Sequence, residues 1–493
     1  MKAGFDRLCQ RLTPDNWASF CAFLYLTAFV LFVPTTGYSN IVFPKHCLFL
    51  GLTALLLAGC LPRIRGRRLR RWPLALAGAL LLLFFLSAAA SPYPQTAWLG
   101  NRRREGLVTL GLYVGIFVTF CLWGELGKWH IRGTAIASAL IFVLVLIQFL
   151  GYNPLGLYPQ GLCFHDRSLR YSGEYLGTIG NADLLSAYLT MAVLFLLGAY
   201  AAGKEGGVAL LGGGCAWGAL LLSEVSAGPV AIGAALAVCL PLCVWKGIGL
   251  GRMGQIAGVL ALGILGKSLL GYDYSNGTLT LFYVFGRIQA GLLVLALACF
   301  GARFLLRKLP KGRGYGKAAM ALVLIMVLVL LLVLGFFFFY SGENETFQAA
   351  SLLLHGDPPD TLGSSRVAIW KEALAMGLEA PLLGSGPDTY QLRSELIFTR
   401  ELPDGQVRRT SVDAAHNEYL NLWVNTGLPS ALVFLALLAS VLLPAMKDLD
   451  QKRLYLLLPT LGYAVHALFG ISQSLVSPLF YLFLGALART RKK

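Results

Sequence analysis

The sequence predicts an all-α, polytopic integral membrane protein of about 12 to 14 transmembrane helices with one large extracytoplasmic segment. Three observations carry that prediction. Hydrophobic residues make up 57% of the 493-residue chain and charged residues only 13%, about half the charged share of an ordinary soluble domain. The apolar residues gather in runs of about twenty, the length at which a helix crosses the hydrocarbon core. Between the runs the polar residues are few, except from 341 to 428.

The first roughly 16 residues are polar and basic and no A-x-A site follows the first apolar run, which reads as a retained N-terminus rather than a signal peptide. Candidate spans then lie near 17–35, 46–62, 73–91, 106–124, 134–151, 183–202, 206–223, 228–245, 254–271, 281–303, 318–340, 429–446, 454–471 and 475–488. Alternating them from a cytoplasmic N-terminus puts most of the 41 lysines and arginines on one side: Lys2 to Arg11, Arg63 to Arg71, Lys128, Arg132, Lys204, Lys246, Arg252, Arg303 to Lys317, Lys447 to Arg453 and the tail from Arg489. An excess of Lys and Arg in short segments marks the cytoplasmic side. Both termini are therefore expected in the cytoplasm, with 92–105, 152–182, 224–227 and 341–428 outside. The expected division is a bundle of about eleven spans over 1–340, an extracytoplasmic segment over 341–428, and about three spans over 429–493. The net charge of +17 is accounted for by this distribution, so membrane lipids and not nucleic acid are the expected partners. The ten cysteines form no CxxC and read as small core residues.

Several arginines break the rule. Arg102, Arg103 and Arg104 in "AWLGNRRREG", Arg167 and Arg170 in the next outer loop, and Arg366, Arg393, Arg400, Arg408 and Arg409 all fall outside. Any one of them reads equally well as a lipid-headgroup contact. Several around one pocket would neutralise a diphosphate, because the guanidinium fork matches phosphate oxygens. At the outer membrane surface such a ligand would be a polyprenyl-diphosphate-linked sugar.

Within the large outer segment, "SSRVAIWKEALAMG" reads as a short helix capped by Ser364 or Ser365, with Arg366 in its first turn and Val367, Trp370 and Leu374 as an apolar stripe. "APLLGSGPDTY" turns at Gly384 and Gly386 and ends at Tyr390. In "DAAHNEYLNLWVNTGLP", Asp413 is a suitable cap for a helix from Ala414. His416 then lies in the first turn and shares a face with Trp423 and Gly427. The positive end of that helix disfavours an imidazolium, and a neutral imidazole is a general base near pH 7. A capping or packing histidine is the alternative.

These stretches resemble the O-antigen ligase and O-antigen polymerase (Wzy-type) family of bacterial membrane glycosyltransferases. Its signature of His, then Asn, Ser or Gln, nine residues and Gly is matched by His416, Asn417 and Gly427. "SRVAIWKEALAMGLEAPLLGSGPDTY" resembles its Arg-x-x-x-Trp segment ending in Pro-Leu-Leu-Gly-x-Gly, through Arg366, Trp370, Gly384 and Gly386. "GTIGNADLLSAYL" looks like its Gly-Thr-x-Gly-Asn motif, with Asn181, and "WLGNRRREG" like its early Gly…Arg-x-Gly motif. The resemblance spans about 98–430. It implies a GT-C-like fold and transfer of glycan from an undecaprenyl-diphosphate-linked donor to a glycan, lipid or protein acceptor, at the outer face of the bacterial cytoplasmic membrane. It implies His416 as general base and Arg366 on the diphosphate, with inversion and without metal or cofactor.

Two departures stand out. Where the family often has Ser-Arg-Gly in a short outer turn, this chain has Ala227: either Arg102 to Arg104 or Arg170 compensates, or the substrate contact differs, or the activity is lost. After Gly427 comes Leu-Pro-Ser rather than Gly-Thr-Thr, which favours a polymerase or a ligase with another acceptor. A transporter or flippase of lipid-linked glycans, or a non-catalytic scaffold, are the rival classes. Lys267, Arg287 and His466 fall in or near spans, where charge is costly and tends to be functional.

Overall fold

The computed structural model describes residues 13–63, 71–158, 175–273, 278–280, 287–307, 315–342, 345–401 and 407–489. Nineteen helices lie among them: α1 Pro14–Leu24, α2 Val42–Cys60, α3 Arg71–Ala90, α4 Pro94–Leu99, α5 Leu107–Leu122, α6 Lys128–Phe149, α7 Ala182–Ala201, α8 Gly206–Leu222, α9 Ala227–Lys246, α10 Leu250–Leu269, α11 Arg287–Arg307, α12 Tyr315–Phe338, α13 Glu345–Leu354, α14 Leu362–Glu379, α15 Tyr390–Arg393, α16 Glu418–Thr426, α17 Leu428–Lys447, α18 Gln451–His466 and α19 Ser477–Arg489. Helix α1 continues into a π-helical turn at Tyr25–Phe29. Among the described residues the strands form two antiparallel pairs, β1 Gly271–Asp273 with β2 Thr278–Thr280 and β3 Ile397–Glu401 with β4 Val407–Ser411. Helices dominate because a chain inside lipid must satisfy its backbone within each segment.

Each of the fourteen apolar runs is helical over most of its described residues. Among the described residues, seven helices are long and apolar enough to cross a membrane, and α5, α8, α19 and part of α11 are apolar but shorter. The chain is an all-α multi-pass membrane protein. Helix α12 is apolar all round and its most apolar stretch has no buried residue, the pattern of a helix facing lipid. Helix α7 is the opposite case. It is buried along its length and packs against α8, α18, α9 and α6.

The bundle has two distinct ends. At one, Arg489 at the end of α19 binds Asp15 at the start of α1 at 2.7 Å, Arg132 binds Glu205 at 2.5 Å, and Lys246 Nζ donates to the Lys447 carbonyl at 2.6 Å. At the other, the ends of α3 and α18 meet the starts of α5, α7 and α17. The 345–428 region packs onto this second end around a small core of its own: Ile369, Ala373, Met376, Tyr390, Val412, Ala415 and Val424.

Three local expectations are corrected. The helix after Asp413 starts at Glu418 and not at Ala414. Its cap is Asn417, whose Oδ1 accepts from the Tyr419 and Leu420 amides at 3.0 and 3.1 Å. Asp413 is taken by Arg103 instead. His416 therefore precedes the helix, with φ of 46°, and does not share its face. Ser364 and Ser365 do not cap α14: with Gly363 they form a left-handed turn, and regular helix resumes at Arg366. The buried stripe of α14 is Ile369, Ala373, Met376 and Gly377, while Leu374 is exposed. Glu372 sets this rotation. Its carboxylate accepts from Ser394 Oγ at 2.8 Å and from the Glu395 and Leu396 amides at 2.8 and 3.1 Å.

Candidate active site

The site is built from loops at the second end of the bundle. The turn at 380–386 docks backbone to backbone on the turn at 425–428. The Gly386 amide donates to the Asn425 carbonyl at 2.8 Å and the Leu428 amide to the Pro381 carbonyl at 2.8 Å. Ser87 Oγ bridges the Leu383 and Asn425 carbonyls at 2.6 and 3.2 Å. A Cβ on Gly427 would lie 2.1 Å from the Leu382 carbonyl oxygen, and one on Gly384 would lie 2.4 Å from that of Asn425. Both glycines have positive φ. They are required by close backbone approach and not by substrate contact.

The loop from Gly100 to Gly106 closes on Asp388, whose Oδ2 accepts from the Asn101 amide at 2.5 Å and the Glu105 amide at 3.2 Å. This closure separates the three arginines. Arg102 is exposed. Arg104, at φ of 60°, lies over the Phe43 ring at 5.0 Å. Arg103 is buried and reaches Asp413 Oδ1 at 2.5 Å through Nη2, while its Nε and Nη1 are buried without a partner. Burial alone would raise the Asp413 carboxyl, but the Arg103 guanidinium outweighs it and holds the group below its ordinary value.

The third component is the turn before α7. Gly177 donates its amide to Gln148 Oε1 at 2.9 Å, and the Thr178 carbonyl accepts from the fully buried Lys45 at 2.7 Å. Asn181 caps α7 by accepting from the Leu184 amide at 3.0 Å. The cap fixes Asp183 in the first helical turn. One Asp183 oxygen lies 3.6 Å from His416 Nδ1 and the other 3.8 Å from Arg366 Nη2. Arg366 Nη1 donates to the Gly363 carbonyl at 3.0 Å. Arg366 Nε and His416 Nδ1 are buried without a hydrogen-bond partner. Burial and the nearby Arg103 and Arg366 depress the His416 imidazole, and Asp183 and Asp413 partly oppose them. The result is a neutral imidazole next to two arginines with donors to spare.

Residues 274–435 match the family model described as O-antigen ligase. Over that stretch the chain is similar to the O-antigen ligase family. None of the curated proteins matches it.

The matched stretch supplies His416, Arg366, Asp413 and the docked glycine turns. Arg103 and Asp183 lie outside the matched stretch, and the bundle brings them in. Of the residues singled out from sequence, His416, Arg366 and Arg103 converge, and Asn417, Asn181, Gly384, Gly386 and Gly427 build the turns that hold them. Tyr390 is a core residue, donating to Glu372 Oε2 at 3.3 Å. Trp370 packs near Phe469 at 6.4 Å and its Nε1 is buried without a partner. Arg102 and Arg104 point elsewhere. Arg393 clamps α15 to α14 through Glu379 at 2.6 Å. Arg167 and Arg170, and the side chains of Arg287, Arg400 and Arg408, lie outside the described residues. Lys267 pairs with Glu224 at 2.5 Å near the end of α10. His466 is buried under the site, 3.2 Å from Ser186 Oγ. Sequence reasoning reads Asp413 only as a helix cap and does not single out Asp183. Asp183 had a signal, since an acid in the first turn after an Asn cap is aimed at the exposed end of its helix.

Proposed function

We propose that this protein transfers glycan from an undecaprenyl-diphosphate-linked donor to an acceptor hydroxyl at the extracytoplasmic face of the bacterial cytoplasmic membrane, with both termini in the cytoplasm. The observation that carries the reading is the Asp183 carboxylate set between His416 and Arg366, with the unpaired donors of Arg103 alongside.

In this reading Asp183 receives the Nδ1–H of His416, leaving Nε2 as the base. The present 3.6 Å is longer than a hydrogen bond, and such contacts commonly tighten only when substrate is bound. Nε2 takes the proton of the acceptor hydroxyl. The acceptor oxygen forms a bond to the anomeric carbon as the bond from that carbon to the diphosphate oxygen breaks from the opposite face, inverting the centre. The diphosphate leaves with the electron pair. Arg366 and Arg103 stabilise its growing charge with donors fixed in advance. Ala227 is the first residue of α9 and is buried, so the arginine role at that turn falls to Arg103. The chemistry asks for no metal.

The test is transfer of an undecaprenyl-diphosphate-linked oligosaccharide by the purified protein in lipid nanodiscs, with His416→Ala beside wild type and chelator present. Transfer by wild type and its loss in the folded variant support the reading. Equal transfer by both sinks the histidine, and absence of transfer by wild type sinks the activity.

A further inference from the structure

Behind the His416 turn lies a small pocket lined by Glu105, Asp388, Glu418, Asn421, Asn425 and Ser472, with Tyr481 and Phe434 as its wall. Its volume is about 50 Å³, room for one or two waters. The mechanism above uses none of its carboxyls.

Two of them are joined by an unbroken chain of hydroxyls. Ser472 Oγ donates to Glu105 Oε2 at 2.8 Å and lies 3.2 Å from Ser477 Oγ. Ser477 Oγ lies 3.0 Å from the Tyr463 hydroxyl, which donates to Glu418 Oε1 at 2.8 Å. Tyr113 donates to Glu105 Oε1 at 2.6 Å, and the Glu418 amide donates to the Ala467 carbonyl at 2.8 Å. The chain thus links three loops: the one carrying Arg103, two residues before Glu105; the one carrying His416, two residues before Glu418; and 467–477 between them.

Burial opposes charge on these carboxyls and outweighs the Tyr113, Ser472 and Tyr463 hydroxyls, which favour it. The charged groups facing Glu105 are Asp388, from the turn before α15, and Arg103, from its own loop, and Arg103 is paired with Asp413. Facing Glu418 are Glu105 and the Tyr463 hydroxyl. Asn425 lines the same cavity, 5% exposed, with its Oδ1 buried and unpartnered. Ionised carboxylates cannot serve that acceptor, whereas a carboxylic acid can.

We propose that Glu105 and Glu418 are positioning residues that work as neutral carboxylic acids, their hydroxyl-linked chain holding Arg103 and His416 at one fixed separation. The inference rests on the transferase reading. Burial supports it, pushing Glu105 up to about 7 and Glu418 up to about 8. A carboxyl raised in the folded state favours that state while protonated, and the advantage is lost as pH rises through those values. Transfer should therefore fall on the alkaline side as the two acids ionise and the loops separate. The fall on the acid side belongs to His416.

The experiment has two readouts on Glu105→Gln, Glu418→Gln and Glu418→Ala. Infrared difference spectra across pH 5–10 should show protonated carboxyl bands that disappear on titration and are missing from the glutamine variants. The alkaline fall in transfer of the undecaprenyl-diphosphate-linked oligosaccharide should be reduced in each glutamine variant, with KM for the donor close to wild type. In Glu418→Ala, kcat should drop at least tenfold, and glutamine should rescue most of it. Carboxyls found ionised at pH 6, or glutamine variants with the wild-type alkaline fall, overturn the inference and leave the transferase reading standing. A wild type with no transfer at any pH overturns the transferase reading whatever the spectra show, and the positioning role goes with it.

Discussion

Replacing Asp183 with asparagine removes one charge from the centre of the site and leaves its shape. Asp183 lies 3.6 Å from His416 Nδ1 and 3.8 Å from Arg366 Nη2. Two unit charges at such a distance attract by about 4 kcal/mol at an effective dielectric near 20. All three side chains keep between 21% and 27% exposure, so screening takes roughly half of that. The attraction to Arg366 exists before and after the reaction. The attraction to His416 develops only as the imidazole accepts the proton, so only that share is differential and affects the rate. About 2 kcal/mol corresponds to a fall of about thirtyfold in kcat. Donor KM should stay level or drop, because Arg366 is released from a competing carboxylate. Asp183 also raises the His416 imidazole, so without it the acid limb of the pH–rate profile should move to lower pH. The assay is steady-state transfer across pH with the thermal midpoint as a folding control. A raised donor KM with unchanged kcat, or an acid limb moved upward, would refute the reasoning.

Two further outcomes follow from neighbouring groups. Arg103→Lys should raise donor KM at least tenfold, because an ammonium cannot hold Asp413 and still present a free fork; Arg102→Ala, at an exposed position, should stay within about twofold, and equal effects of the two would show that Arg103 holds no privileged place. Asn181→Ala should cost about 1 kcal/mol through loss of the α7 cap, visible as a lowered thermal midpoint, and should lower kcat more than it alters donor KM, because the first turn of α7 carries Asp183.

The helices were legible because lipid simplifies the code: a long apolar run has no stable form in a bilayer except a helix. The arginines at the site were legible too, since basic residues in outer segments break the charge bias of a membrane protein. Their pairing was not. Asp413 reads as the cap in sequence, but it pairs with Arg103, about three hundred residues earlier along the chain. With Asp413 drawn into an ion pair, Asn417 takes the cap and His416 moves off the helix. The same limit hid Asp183, whose partners come from α14 and from the turn before α16. It also hid the separation of Arg102, Arg103 and Arg104, which depends on Asp388 closing their loop. Local preference finds candidates; long-range charge pairing chooses among them.

That view gives the spacing of the motif a physical meaning. Between Asn417 and Gly427 lie the nine residues of α16. Asn417 satisfies the amides at one end, and Gly427 ends the helix at φ of 86° and ψ of 158°, a conformation confined almost entirely to glycine. The length of the helix therefore sets the distance between the histidine turn and the docked turn at 380–386, which leads back along α14 to Arg366. Gly427→Ala tests this. The backbone conformation alone should cost about 1–3 kcal/mol, and the new Cβ would sit 2.1 Å from the Leu382 carbonyl oxygen, backbone that cannot swing aside as a side chain can. The two turns should part, the Leu428 to Pro381 hydrogen bond should break, and Arg366 should lose its register with His416. The expected result is a lowered thermal midpoint with transfer reduced at least a hundredfold, although residue 427 touches neither the histidine nor the arginine. A variant that melts and transfers like wild type would show that the glycine is incidental and that the site is held by α7 and the Arg103 loop alone.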